Sequence, residues 1–434
     1  MTPAQAFAAL APLPALPIED RRRLLAALRT TLLARAADAV AAANADFGRR
    51  SEMDTLLADI LIVADSAAMV RRRLAGWARP RLQGSPYPFW PVRSVIEPQP
   101  KGVVGIMAPW NYPIQLALMP VVDAIGAGNR VVVKPSEHTP RCAALIAEIL
   151  AAALGADVAL TVQGGADVAA DFSAQPWGHL VFTGGTETGR LVMAAAAKNL
   201  TPLTLELGGK CPALVLPGAS LARAAKTILN AKAVNAGQTC VAPDTVLLLG
   251  HSIADFLAAA RATGITTAET DVINPRQQAR LAALCEGASL TALGPDFSVA
   301  TAPDHHPLHQ EEIFGPVLAL REMPSLAAAI ATIGTPLAIY LFGASAQEEA
   351  QVAQATRSGA LVCNGALNYA AFHALAFGGV GASGFGRRNG RAGFDEFSNM
   401  RARVSHGRIS MAQMFDFPRS ASALAMARRL VGMK

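Results

Sequence analysis

Between residues 101 and 210, short apolar runs of β type alternate with helical stretches, and this alternation constrains the fold more than any other feature. The runs Val103 to Met107, Val131 to Val133, Val158 to Val162 and Leu180 to Phe182 are separated by helical patterns over 114–126, 139–154 and 189–198. Alternation of this kind implies a parallel sheet flanked by helices. A second alternating block runs from 211 to about 380 and ends near the apolar run Leu337 to Phe342. Residues 18–80 read as helices: Leu24, Leu25, Leu28, Leu32 and Leu33 recur at helical spacing, and Leu56, Leu57, Ile60, Leu61 and Val63 begin a second stripe. Five prolines in 84–100 take that stretch out of helix. The tail, 386–434, is basic and amphipathic, with Arg428, Arg429 and Lys434 among Leu, Val and Met.

Against this frame stands the tetrad Gly237-Gln238-Thr239-Cys240, about thirty residues after Glu206-Leu207-Gly208-Gly209-Lys210. A thiol attacks as thiolate, so a nucleophilic Cys240 is expected where its pKa can fall and substrate can reach it. Gly237 and Thr239 are poor helix-interior residues and predict a loop with exposed backbone N–H groups near the sulfur, suited to an oxyanion. The alternative is that Cys240 is a small apolar filler. Glu206 sits between Leu205 and Leu207, a setting that raises a carboxyl pKa toward that of a neutral-pH base.

Other segments carry binding chemistry. Gly184 to Gly189 lies between a strand and a helix opening at Gly189, a turn that lets backbone approach a pyrophosphate, although it departs from GxGxxG. Lys134 ends an apolar strand with Glu137 one turn beyond, which suits ligand binding at a strand end or a surface ion pair. Asn111, within Pro109-Trp110-Asn111-Tyr112-Pro113, is a neutral amide donor for an oxyanion or part of a rigid turn. In Asp304-His305-His306-Pro307-Leu308-His309 the proline prevents a regular helix from aligning His305 with His309, so a loop is expected and no metal site.

These pieces, with Lys134-Pro135-Ser136-Glu137, Phe182 to Gly189, Glu311 to Val317 and Ala376 to Gly381, occur in an order that resembles the aldehyde dehydrogenase superfamily. Asn44 to Gly48 and Gln238 to Asp244 look like its class 3 branch, and Asn44 to Ser51 with the basic tail look most like bacterial coniferyl-aldehyde dehydrogenases. The resemblance implies an α/β fold with a Rossmann-like NAD(P)-binding domain (1–83 and 101–210), a catalytic domain (211–385) and an oligomerisation arm and tail (84–100 and 386–434), the arm crossing to a partner in a homodimer. It implies Cys240 as nucleophile, Glu206 as the base that activates the deacylating water, and Asn111 with the Cys240 N–H as oxyanion hole. Cofactor positions are Trp110, Lys134, Glu137, Gly184, Gly185, Thr186, Gly189, Leu207, Glu312 and Phe314. Lys134 and Glu137 bind the adenine-side ribose and Glu312 the nicotinamide ribose, with Phe314 packed near the nicotinamide. NAD is expected to be favoured and NADP usable. Gly185 stands where the family usually has serine, and Ala376 where it usually has proline. About 71 positions separate Cys240 from Glu311, fewer than in class 3 relatives, so segment 250–310 looks shortened and the wall of the substrate entrance altered.

Totals bound the alternatives. Of 434 residues, 52% are hydrophobic and 16% charged, yet no uncharged apolar run reaches the ~18 residues of a membrane span. The amino terminus shows no secretion signal. Five scattered cysteines without CxxC spacing point to reduced thiols and a cytoplasmic setting. The net charge of +6 comes from dispersed arginines without interleaved aromatics, which argues against a nucleic-acid partner. A thioester-forming reductase on the same fold would share Cys240, but Glu206 argues against it. A non-catalytic scaffold would not need every one of these positions filled.

Overall fold

The computed structural model describes residues 1–408 and 411–433; Lys434 lies outside them. A six-stranded sheet has the order Gly384–Phe385, Leu203–Leu207, His179–Gly184, Val103–Met107, Arg130–Lys134, Ala159–Thr161. All neighbours are parallel except Gly384–Phe385. The chain leaves Val103–Met107 toward one edge and later returns to its other side. The crevice between Val103–Met107 and His179–Gly184 is therefore a topological switch point, where open sheets of this kind take ligands. A seven-stranded sheet has the order Ser289–Ala292, Ser298–Thr301, Val317–Met323, Pro243–Leu249, Cys211–Val215, Ala338–Phe342, Ala360–Cys363, with only the first pair antiparallel. A third, antiparallel sheet joins Arg81–Gln83, Val92–Pro100 and Ser398–His406.

The helix Pro113–Ala127 is the central pillar. Proline at its first position presets the entry, and Gly128 closes it in the left-handed region at φ 96°. Its sequence is apolar all round, and every residue except Gln115 is buried. Its first turn is capped from outside: Asp59 Oδ1 accepts from Ile114 N at 3.1 Å and from Gln115 N at 2.9 Å.

Asp59 reaches that position through a departure from the expected periodicity. Residues Thr55–Leu61 form a π-helical turn, with Ile62 N donating to Leu57 O, before the α-helix Ile62–Trp77 resumes. The extra residue turns Asp59 and Ile60 inward and leaves Leu57 and Leu61 at 50% and 43% exposure. The second leucine stripe is thus only partly core, and its outer members line a cavity. A further helix, Pro3–Leu10, precedes the stretch expected to be helical; a capping box at Thr2 and Gln5 starts it. No helix among the described residues is long and apolar enough to cross a membrane.

Candidate active site

The helix Leu221–Ala233 ends in a tight turn in which Asn235, Ala236 and Gly237 all take positive φ (51°, 54° and 69°). At Gly237 a Cβ would fall 2.4 Å from Gly315 O, so only glycine fits. The chain then passes Cys240 into the strand Pro243–Leu249. The loop is not the exposed one expected from Gly237 and Thr239. Gln238 is fully buried, donating to Asn235 O and Asp271 O and accepting from Ile273 N, each at 3.0 Å. The Thr239 and Tyr112 hydroxyls lie 2.8 Å apart.

Cys240 is half-buried and lines two cavities at once. The larger, about 400 Å³, has apolar walls from Leu57, Leu61, Ile62, Leu116, Met119, Leu367 and Phe377, with Asp54, Asp65 and His373 among them. The smaller, about 240 Å³, brings together Trp110, Asn111, Gly184, Gly185, Glu206, Leu207, Glu312 and Phe314. Burial, with the Glu312 and Glu206 carboxylates nearby, pushes the thiol up to about 12, while Arg388 pulls the other way. The lowered thiol pKa expected from sequence is not met.

Glu206 lies in the strand Leu203–Leu207, opposite Gly384, and is 3% exposed. Oε1 accepts from Arg388 Nε at 3.2 Å, and Oε2 is buried without a partner. Burial raises its pKa to about 7 against the pull of Arg388. Glu312 is pushed up to about 8, first by burial and then by Asp244, against a hydrogen bond from the Gly209 N–H. Phe314, itself at φ 48°, meets Trp110 edge-on with ring centroids 5.4 Å apart.

Asn111 Nδ2 gives one hydrogen to Gln238 O at 3.0 Å, leaving its second unassigned. Its backbone oxygen accepts from Arg50 Nη1 and Asn235 Nδ2, both at 2.9 Å.

Toward the cofactor positions, the strand His179–Gly184 leads through Gly185 into the helix Thr186–Ala196. This helix begins three residues before the expected Gly189. Gly189 instead sits inside it, where a Cβ would fall 2.7 Å from Leu207 Cδ2, so its role is close helix-to-strand packing. Thr186 lies on a third cavity of about 520 Å³, which Gly185, Gly208 and Glu312 share with the second. Lys134 and Glu137 line none of the three. Lys134 is buried and its Nζ donates to Glu137 Oε2 at 3.0 Å, while the Glu137 side chain is 42% exposed, so the pair reaches from the interior to the surface. Burial works against ionisation of Glu137, yet its own N–H and Lys134 hold the carboxyl below its ordinary range. His306 and His309 pair with the Glu286 and Ala302 carbonyls.

The profile of the aldehyde dehydrogenase family matches residues 2–292 and 297–402. The chain belongs to the aldehyde dehydrogenase family. It is 40% identical over 395 residues to a coniferyl aldehyde dehydrogenase of a Pseudomonas species, covering 84% of this chain and 81% of that one. It is 35% identical over 407 residues to rat aldehyde dehydrogenase family 3 member A2, covering 89% and 84%. A substrate-bound AldH of Staphylococcus aureus superposes with TM-score 0.93 over 99% of both chains at 29% identity. The chain thus has the aldehyde dehydrogenase fold and is an NAD(P)-dependent, aldehyde-oxidising oxidoreductase.

Several residues of this dehydrogenase site escaped the sequence. Arg50 and Asp59 form a fully buried ion pair at 2.8 Å beneath Asn111, and Arg388 pairs with Glu206. Arg50 lies in a short polar stretch and Arg388 in a basic one that reads as solvated tail. Neither has a local signal, because Glu206 is distant in sequence from Arg388 and Asp59 is turned inward by the π-helical turn that contains it. Segment 250–310, expected to be short, supplies Gln277 and Arg280 to the cavity of about 240 Å³ and His309 and Gln310 to that of about 520 Å³, and none of the residues lining that of about 400 Å³.

Proposed function

We propose that this dehydrogenase oxidises an aromatic or medium-chain aliphatic aldehyde to the acid through a thioester on Cys240. The observation that carries the reading is the position of Cys240 at the junction of two cavities, an apolar side walled by Leu57, Leu61, Ile62, Leu116, Met119, Leu367 and Phe377, and another that gathers Asn111, Glu206 and Glu312. The apolar side suits the aldehyde's body, in keeping with the coniferyl aldehyde dehydrogenase named above. Cys240 gives up its proton to a neighbouring carboxylate, and Sγ bonds to the carbonyl carbon. The second Nδ2 hydrogen of Asn111 and the Cys240 backbone N–H, which lies beside the sulfur, stabilise the oxyanion. When bound, the nicotinamide supplies the acceptor for the hydride that leaves the former carbonyl carbon. Glu206 then takes a proton from water, whose oxygen attacks the thioester carbon, and the C–S bond breaks to release the acid. Glu206 works as a base only when ionised, so turnover should rise with pH through about 7.

The chain's residues fit a dinucleotide. A helix N-terminus with the open Gly185 backbone suits a pyrophosphate, and Glu312 and the Lys134–Glu137 pair suit the two riboses. Glu137 repels a 2′-phosphate and Lys134 offsets this in part, giving NAD favoured and NADP usable. The block 1–83 with 101–210 serves the cofactor and 211–385 the chemistry, while the small antiparallel sheet pairs two copies. Its edge strand Arg81–Gln83 is exposed, and Leu82 and Trp90 are 70% and 58% exposed, which supports a homodimer. Five unpaired cysteines favour a reducing cytoplasm.

The test is a panel of aromatic, aliphatic and charged aldehydes read by NADH formation. Aromatic and medium-chain aldehydes should lead in kcat/KM; a clear lead for short or anionic ones would overturn the substrate class. A stable monomer by light scattering would remove the dimer.

A further inference from the structure

We infer that Arg388 is a positioning residue for deacylation: it holds Glu206 in place with one carboxylate oxygen bound and the other free to take a proton from water. The inference rests on Glu206 being the deacylating base. The two side chains are each 3% exposed and meet through Nε and Oε1 at 3.2 Å. Glu206 Oε2, buried and unpartnered, is the atom left for the water. Glu206 lines the cavity of about 240 Å³ and Arg388 that of about 400 Å³, so the pair bridges the wall between them, with Cys240 on both sides.

Arg388 is itself pinned. Its backbone exchanges hydrogen bonds with Phe377 (N to O at 2.7 Å, O from N at 3.0 Å), and its guanidinium lies 5.5 Å from the Phe377 ring centre. The next residue, Asn389, donates its N–H to the buried Asp123 Oδ2 at 3.1 Å. A side chain fixed at both ends can fix another.

The charged and titratable groups around Glu206 are Arg388, Arg387, Glu396, Cys240 and Tyr369. Arg387 is turned away, its Nη1 donating to Gly379 O and Gly386 O at 2.6 and 3.0 Å. Among the described residues Arg388 is thus the one cation in direct contact, and it opposes the effect of burial on Glu206. Without it a larger share of the buried acid would stay protonated at neutral pH, and less of it could accept a proton. In the step itself a water O–H bond breaks and its proton goes to Glu206 Oε2. The oxygen bonds to the thioester carbon, the C–S bond breaks with its electron pair on Sγ, and Glu206 later returns the proton to solvent.

The experiment mixes Arg388→Met, Arg388→Lys and Glu206→Gln with NAD and a good aldehyde, and follows the NADH burst and the steady rate from about pH 6 to 9. Arg388→Met should keep a burst near one equivalent per site. Its steady-state acid limb should move up by about one unit, a roughly tenfold loss of rate on that limb. Arg388→Lys should restore most of the rate, with an intermediate limb. If Arg388→Met does not fold, the limb of Arg388→Lys decides: unchanged from wild type, it overturns the proposal. An equal loss at every pH would mean a merely structural role, and a raised KM confined to anionic aldehydes would make Arg388 a substrate receptor; either overturns the proposal. Glu206→Gln separates the two readings. If it deacylates normally the base assignment falls, whereas if it stalls after the burst while the Arg388 variants behave as wild type, only the role of Arg388 falls.

Discussion

The two sides of Cys240 are built on opposite principles. Beneath Asn111, Arg50, Asp59 and Asn235 form a buried network with its hydrogen bonds made: Arg50 reaches Asp59, the Asn111 carbonyl and Asn235, and Asp59 caps the central helix. Across the cavity, Glu206 has one oxygen bound and one bare. A satisfied network fixes geometry, whereas a half-satisfied one leaves a group able to exchange protons. In the proposed mechanism the first side holds the oxyanion donor still, and the second supplies the base. The division explains why burial is tolerated at Asp59 without a free oxygen yet leaves Glu206 titrating near neutral pH.

The residue shared by both sides gives the largest effect. Cys240→Ser should abolish aldehyde oxidation while cofactor binding, read by fluorescence titration, stays near wild type; substantial residual turnover would break the account of both sides. Glu206→Gln should lower steady turnover on the order of a hundredfold or more while preserving the burst. No burst at all would move Glu206 to a step before hydride transfer and make Glu312→Gln the needed comparison.

On the fixed side the loss should appear in stability. Arg50→Met leaves Asp59 buried and unpaired, at a cost of about 3–5 kcal/mol measured by denaturant unfolding. A variant as stable as wild type would mean the network is not the anchor argued here. Glu137→Gln should reduce the NAD over NADP bias in kcat/KM by several-fold; an unchanged ratio would show that another residue reads the ribose.

The smallest effect sharpens the contrast on the titrating side. Asp123 is buried, and burial raises it to about 7 despite the Asn389 N–H and Arg388. Its folded value lies above its ordinary one, so its contribution is present in acid and is lost as pH rises toward and past 7. Asp123→Asn should flatten part of the fall in melting temperature between about pH 5 and 8. An unaltered slope would locate that dependence in Glu206 and Glu312.

Alternation of strands and helices, and the glycines at turns, were legible because they are local: period, breakers and caps act over a few residues. The strands Val103–Met107 and Arg130–Lys134 appear where their apolar runs lie. Cys240, Glu206, Asn111, Glu312 and Phe314 do meet at one cavity, and each sat in a recognisable segment. What was not legible depends on distant partners. The π-helical turn that rotates Leu57 and Leu61 out of the core leaves no mark in residue type, and nothing local ties Arg388 to Glu206 or Arg50 to Asn111. The thiol setting was misjudged for the same reason: polar neighbours in sequence became buried ones in space, with two carboxylates facing the sulfur.

The central claim is a thioester on Cys240 that Glu206 clears. Intact mass spectrometry of Glu206→Gln, mixed with NAD and a reactive aldehyde and quenched in acid, tests it most directly. A mass increase of one acyl group per chain is expected, mapped by peptide digestion to Cys240 and absent without NAD. Unmodified protein, or an acyl group on Cys211 or Cys363, would contradict it.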